Sequence, residues 1–199
     1  MTTSFRCNVG YNFNMSRFTH LHVHSHYSLL EALPKISDLI DAAKEHGMKA
    51  LALTDNCNLY GTIEFYKECV AAGIKPIIGI DAYVAPRSRL NKESATDASR
   101  SRLILLAKNT EGYKNLIKLV TAAHFEGFYY KPRIDKELIE KYKDGLICIS
   151  PATNGDIARA LQNEDRERAK EEAAWYSRIF GPDHFYIEIT DPEKLDLVK

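Results

Sequence analysis

The chain has 199 residues, with 27 Lys and Arg against 27 Asp and Glu, so its formal charge is zero, and 45% of its positions are apolar. That length buries a substantial core without staples, and the balanced charge argues against a strongly basic protein that coats nucleic acid. No run of about 18 apolar residues and no signal-like apolar segment occurs, and Cys7, Cys57, Cys69 and Cys148 lack metal-type spacing, which points to a cytoplasmic chain with reduced thiols and no membrane partner.

Residues 1–17 show neither helical nor strand periodicity and are expected to form a loose tail, with Met15 a second possible start. From Phe18 onward strands and helices alternate. Strands are predicted at 18–24, 49–54, 76–84, 102–107, 145–150 and 184–189, several as short apolar runs suited to a sheet covered on both faces. A helix over 34–46 places Pro34 in its first turn, carries Ile36, Leu39, Ile40 and Ala43 on one stripe and stops at Gly47. The next, over 60–72, has Ile63, Tyr66 and Val70 on its stripe and ends at Gly73. A third over 110–124 aligns Tyr113, Leu116, Ile117, Val120 and His124, and a fourth over 164–180 aligns Ala169, Ala173, Tyr176 and Phe180. Such alternation predicts a parallel α/β architecture. No G-x-G-x-x-G or P-loop follows a strand, while His22, His24, Asp55, Asp81 and Ser150 fall at strand ends, as in a βα barrel. A full eight-fold barrel takes about 250 residues, so a barrel short of its last unit is expected.

The strongest chemical signal is FTHLHVHSHYSLL, with His20, His22, His24 and His26 at every second position. On a strand, alternate side chains share a face, so neighbouring imidazoles converge as a metal-binding pair. Asp55 and Asn56 close the apolar LALTDN strand, where the carboxylate is either a ligand or a helix cap. Asp81 interrupts PIIGIDAYV, and a buried carboxylate needs a partner or a metal. Glu31 either ligates metal or favours the positive end of the first helix. The polar segment 85–102, with Arg87, Arg89, Lys92, Arg100 and Arg102 diluted by Glu93 and Asp97, reads as a solvated loop. GFYYKPRID interleaves Tyr129 and Tyr130 with Lys131 and Arg133, a pattern that nucleic acid binders use but that here reads as interface or packing.

Together, HLHVHSHYSLLEA, LALTDNCNLYGTIEFYKECVAAGIKPIIGIDAYVA and LILLAKNTEGYKNLIKLVTAAHFEGFYYKPRID resemble the polymerase and histidinol phosphatase (PHP) domain that opens bacterial DNA polymerase III alpha subunits. The resemblance covers roughly residues 18–190 and makes 18–199 a single PHP domain. It implies a distorted seven-stranded βα barrel, TIM-like, with about six strands here and the last unit missing, and strand ends that hold up to three divalent metals. His22 and His24 match the family's H-x-H, Glu31 stands at an acidic ligand position and Asp81 where metal-binding members commonly have Glu. Three ligand positions are degenerate: Asn56 replaces a histidine, Arg102 stands in place of another, and Ala152 replaces a cysteine. The remaining Asp and His ligands belong to a seventh strand beyond Lys199.

Because several converging ligands are needed to hold ions and activate water, the resemblance implies a divalent metal (Zn, Mn or Mg) that is weakly bound or absent. Arg102 would fill the vacated space and pair with Asp81 or Glu31. The function implied is a degenerate-site scaffold at the start of a DNA-directed DNA polymerase, in contact with the rest of that subunit and its proofreading exonuclease, and meeting DNA through the parent protein. This piece lacks the polymerase carboxylates. The alternatives are a metal-dependent phosphoesterase acting on a phosphomonoester or DNA ends, and an independent binding module.

Overall fold

The computed structural model describes residues 18–190. The expected tail at 1–17, the start at Met15 and the stretch 191–199 lie outside the described residues. The chain passes in order through α1 (Ile36–Glu45), β1 (Ala50–Leu53), α2 (Thr62–Ala72), β2 (Lys75–Val84), α3 (Ser94–Asp97), β3 (Ser101–Ala107) and α4 (Thr110–Phe125). It continues through β4 (Arg133–Ile134), α5 (Lys136–Lys141), β5 (Leu146–Ser150), α6 (Asp156–Gln162), α7 (Arg166–Phe180) and β6 (Phe185–Ile187).

Among the described residues these strands form one mixed sheet in the order β1-β2-β3-β5-β6, with β4 paired to β2, and the sheet does not close. This is the partial barrel expected, but it is not all parallel. β1 and β2 run parallel, as do β5 and β6, whereas β3 is antiparallel to both β2 and β5. A parallel return needs a long crossover, usually a helix. Between β2 and β3 the only helix is the four-residue α3, so the chain turns back beside β2 in the opposite sense.

The strand predicted at 18–24 is an extended segment instead. It lies along β1 through Ala52 N–H to His20 O (3.0 Å) and Thr54 N–H to Val23 O (2.8 Å). The N–H of Val23 donates to the Thr54 hydroxyl (2.9 Å), so a side chain replaces the carbonyl that a regular ladder would use.

Three apolar layers hold the fold. Ile36, Ile40 and Ala43 of α1 meet Phe65 and Cys69 of α2 over Leu51 and Leu53 of β1. On the remaining outer face, Leu103 and Leu105 pack with Leu116 and Leu119 of α4, Leu138 of α5 and Tyr176 of α7. The inner face is lined by Ala52, Ile104, Leu106 and Ile149, the alternate residues of the same strands. Each fully buried Leu, Ile or Phe among them stabilises the fold by about 1.5–3 kcal/mol.

Gly47 and Gly73 stop α1 and α2 as predicted, with positive φ values of 66° and 70° that a side chain rarely tolerates. Pro34 precedes the helix rather than entering it, because Lys35 is the N-cap and its N–H donates to Asp38 (3.1 Å). The stripe predicted for 60–72 is corrected. Ile63, Tyr66 and Val70 are exposed, and Thr62, Phe65 and Cys69 face the core. In α4 the buried face likewise centres on Leu116, Leu119 and Ala123, leaving Ile117 exposed. The helix predicted from 164 begins at Arg166, capped by Asp165, and is preceded by α6, which the pattern did not reveal.

Segment 85–102 is not a solvated loop. Arg87 forks onto Asp97 (3.0 and 2.7 Å), and Arg89, 8% exposed, reaches Asp135, Glu126 and Glu137. The loop is ordered because Asp97 and Asp135, both buried, need these cations. Arg133 is fully buried and donates to the carbonyls of Gly127, Asp97, Arg89 and Asn91, so GFYYKPRID serves packing. Cys57, Cys69 and Cys148 are free and buried. Burial raises the Cys57 thiol to about 12 and the Cys69 thiol to about 11, which makes both poor nucleophiles at neutral pH. No described helix is long and apolar enough to cross a membrane.

Candidate functional site

At one end of the inner face the apolar lining gives way to polar side chains. Asp81 projects there because it shares the pleat side of Tyr83, while Arg102 of β3 sits directly opposite Tyr83 in the antiparallel register. Arg102 enters from the first turn of its strand, since β3 runs against its neighbours, and is therefore an exception to the strand-end rule.

His22 and His24 do converge. Their Nε2 atoms lie 3.1 and 3.2 Å from the same Asp81 oxygen, Oδ2, and their rings are 5.2 Å apart. His22, His24 and Asp81 form a group of donors within 4.8 Å of one another, a geometry that can accept a metal ion. The other two histidines do not join them. His20 packs edge-on against Phe18, and His26 lies over Tyr27 within the turn that Ser28 N–H closes onto Ser25 O. Asp55 lies outside this three-donor group and caps no helix. It is buried and accepts hydrogen bonds from Ser25 N–H (2.7 Å), Ser25 Oγ (2.8 Å) and Ser28 Oγ (2.6 Å), clasping the turn that follows the histidines.

Arg102 occupies the position a metal would compete for. Its Nε donates to Asp81 Oδ1 (2.9 Å) and its Nη2 to Asp81 Oδ2 (2.6 Å), a two-pronged pair with a carboxylate whose side chain is 3% exposed. Arg102 also donates to the side-chain amide oxygen of Asn56, so the two residues hold each other over Asp81. Glu31 stands beyond Arg102 (3.6 Å) and accepts from Tyr83 OH (3.0 Å) and Asn56 Nδ2 (2.8 Å), outside the three-donor group. The cleft over these residues measures about 430 Å³ and is walled by Ala152 and Glu188 on its other side.

Glu188, which follows β6, was not singled out in the sequence. It lies 3.2 Å from His22 Nδ1 and accepts from Ala152 N–H (3.2 Å). The signal was a lone carboxylate in the apolar FYIEI run, of the kind that drew notice to Asp81. Burial works against a charged His22, but hydrogen bonds to Asp81 and Glu188 outweigh it and raise its pKa to about 9. Asp81 is likewise opposed by burial yet held far below the usual carboxylate range by His22, His24 and Arg102. At neutral pH this shift favours a protonated His22, so His22 and Arg102 both present positive charge to Asp81, and a metal at His22 would have to displace a proton.

These residues do not fit a multi-metal centre. Among the described residues only three donors converge, and one of them, Asp81, is engaged by a guanidinium.

An open barrel with an H-x-H pair and strand-borne carboxylates at its mouth defines the class, and the sequence model of the PHP domain family matches residues 20–192. The chain belongs to the PHP domain family. Among well-characterised proteins it is similar to the DNA polymerase III subunit alpha of Borreliella burgdorferi, with 54% identity over 175 residues, 87% of this chain and 15% of that protein. The same subunit of Treponema pallidum is 46% identical over 87% of this chain and 15% of its own length. The chain thus spans about 15% of the length of these relatives. Among solved structures, an amidohydrolase from Chromobacterium violaceum superposes on 53% of this chain and 32% of its own at 19% identity, with a TM-score of 0.38, too partial a likeness to carry argument.

Proposed function

We propose that this chain is the PHP domain of a bacterial replicative DNA polymerase catalytic subunit, spanning 18–199, and that it acts as a scaffold rather than a hydrolase. The observation that carries the second part is the Arg102–Asp81 pair, which supplies from within the chain the positive charge that an ion would otherwise bring. The relatives named DNA polymerase III subunit alpha support the first part. On this reading the protein is cytoplasmic, it meets DNA through the rest of the polymerase, and its outer surface is available to the proofreading exonuclease subunit.

A phosphoesterase reading draws on the convergence of His22, His24 and Asp81. Bound metal per chain, measured after Mn²⁺ or Zn²⁺ is added to metal-stripped protein, separates the two. The scaffold reading expects at most one weakly held ion in the parent chain and tighter binding in Arg102→Met, which frees Asp81. It also expects affinity to rise with pH as His22 loses its proton. Two or more tightly held ions in the parent chain, lost in a His22→Ala/His24→Ala variant, would establish the phosphoesterase instead.

A further inference from the structure

Beside the His22 site, on the far side of Arg102, lies a second open cleft of about 400 Å³ lined by Glu31, Tyr83, Ser99, Arg100, Arg102, Lys131, Asn154 and Arg159. Its charge is out of keeping with the chain. The molecule as a whole is neutral, yet four cations face this cleft against one carboxylate, Glu31.

Three of the cations gather on a single ring. The guanidinium carbons of Arg102 and Arg100 lie 4.4 and 5.5 Å from the centre of the Tyr83 ring, and Lys131 Nζ lies 5.7 Å from it. The face of an aromatic ring attracts cations and so offsets part of their mutual repulsion. It does not remove their charge.

The cations differ in how they are satisfied. Arg102 is neutralised by Asp81, and Lys131 lies 3.6 Å from Glu31. Arg100 and Arg159 form no ion pair with any described carboxylate. Arg100 donates to the Ala98 carbonyl (3.0 Å) and Arg159 to the Ser99 hydroxyl (3.3 Å), which leaves most of each guanidinium fork unused. Two planar forks, an ammonium and the neutral side chains of Ser99 and Asn154 around one concavity are the donor set that a tetrahedral oxyanion takes up. Glu31 is the one group that opposes an anion there, and its carboxylate is already drawn toward Tyr83 OH (3.0 Å) and Asn56 Nδ2 (2.8 Å).

We infer that this cleft binds a phosphate group through Arg100, Arg159 and Lys131. The site adjoins the cleft over His22, His24 and Asp81, sharing Glu31, Arg102 and Asn154 with it, but none of His22, His24 and Asp81 lines it and its donors need no metal. The phosphate belongs either to a free phosphate compound or to the backbone of a single-stranded nucleic acid.

The experiment is thermal unfolding of the 199-residue chain in rising orthophosphate, with ionic strength held constant by sodium chloride. The parent chain is expected to gain melting temperature saturably. In Arg100→Gln/Arg159→Gln the phosphate concentration for half the effect should rise about tenfold or more. Arg100→Lys/Arg159→Lys, which keeps the charge but loses the forks, should recover part of the binding. Lys49→Gln/Lys67→Gln, which removes two exposed cations elsewhere, should bind as the parent does. The inference is overturned by an absence of saturable stabilisation in the parent, or by stabilisation that survives undiminished in Arg100→Gln/Arg159→Gln. A fluorescent oligothymidylate gives the source: binding that phosphate displaces and the double Gln variant loses assigns a nucleic acid backbone, whereas phosphate binding unaffected by the oligonucleotide assigns a free phosphate compound.

Discussion

Asp81 is the residue on which the site turns. It is a carboxylate in the middle of a buried strand, and its charge is stabilised by His22, His24 and Arg102 together. The linkage to pH follows from the directions of the shifts. His22 is raised from 6.5 to about 9 on folding, so its contribution is complete below 6.5 and is lost as pH rises through about 9. Asp81 is lowered from 3.8, so its contribution is present above 3.8 and is lost as pH falls toward its folded value. Glu188, lowered mainly by its hydrogen bond to His22, adds to the acid side. The urea midpoint is therefore expected to be highest in the mildly acid range and to decline on both sides. In His22→Gln, which keeps a polar side chain but cannot titrate, the alkaline decline between 6.5 and about 9 should flatten. An unchanged alkaline slope in that variant would assign it to other groups.

At the scale of elements, α2 shows what a periodicity reading can and cannot settle. Its sequence, TIEFYKECVAA, carries two apolar stripes, Ile63-Tyr66-Val70 and Phe65-Cys69, each at helical spacing. The longer one faces solvent and the shorter one faces β1 and α1. Phe65→Ala is expected to cost about 3–5 kcal/mol in urea unfolding, because it empties a fully buried site. Ile63→Ala, 58% exposed, should stay within about 0.5 kcal/mol. Equal costs would mean that the helix is rotated from its place here. The spacing contains no term for what lies across the interface, so five of the six predicted strands, the helix stops and the barrel class were legible while the orientation of α2 was not. The same holds for the sheet. Short apolar strands announce burial on two faces, but the direction of β3 depends on the short path taken by residues 85–100, whose arginines look solvated until Asp97 and Asp135 are brought to them.

The site was legible in proportion to how local its residues are. His22 and His24 stand two apart, Asp81 interrupts an apolar run and Arg102 opens one, and the meeting of Asp81 with Arg102 follows once β2 and β3 pair. Glu188 is 166 residues from His22, and only the curvature of the whole sheet brings them together. Asp55 closes the same apolar strand as Asn56 yet is spent on the serines of the preceding turn, a partnership that depends on the backbone path and not on spacing.

For the molecule as a whole, the sheet has two ends that no ladder joins among the described residues. One is β1 with the extended segment 18–24 lying along it, and the other is β6. Among the described residues they are linked by the side-chain pair of His22 and Glu188 at 3.2 Å, and Glu188 in turn holds Ala152, just past the end of β5. The barrel mouth is thus closed by charge where backbone pairing is lacking. Both side chains are about one-third exposed, so the contact is a modest latch and not a core interaction. Removing the charge in Glu188→Gln should leave the three apolar layers intact while letting the two ends part more often. Amide exchange of Ala52 and Thr54, whose N–H groups donate to His20 and Val23, is expected to quicken roughly fivefold, the equivalent of about 1 kcal/mol. The Ala152 amide should follow them, since its acceptor is the altered side chain. Phe65, deep between α1, α2 and β1, should exchange as before. Faster exchange at all four amides would show that Glu188 supports global stability, and no change at Ala52 and Thr54 would show that the extended segment is held by β1 alone.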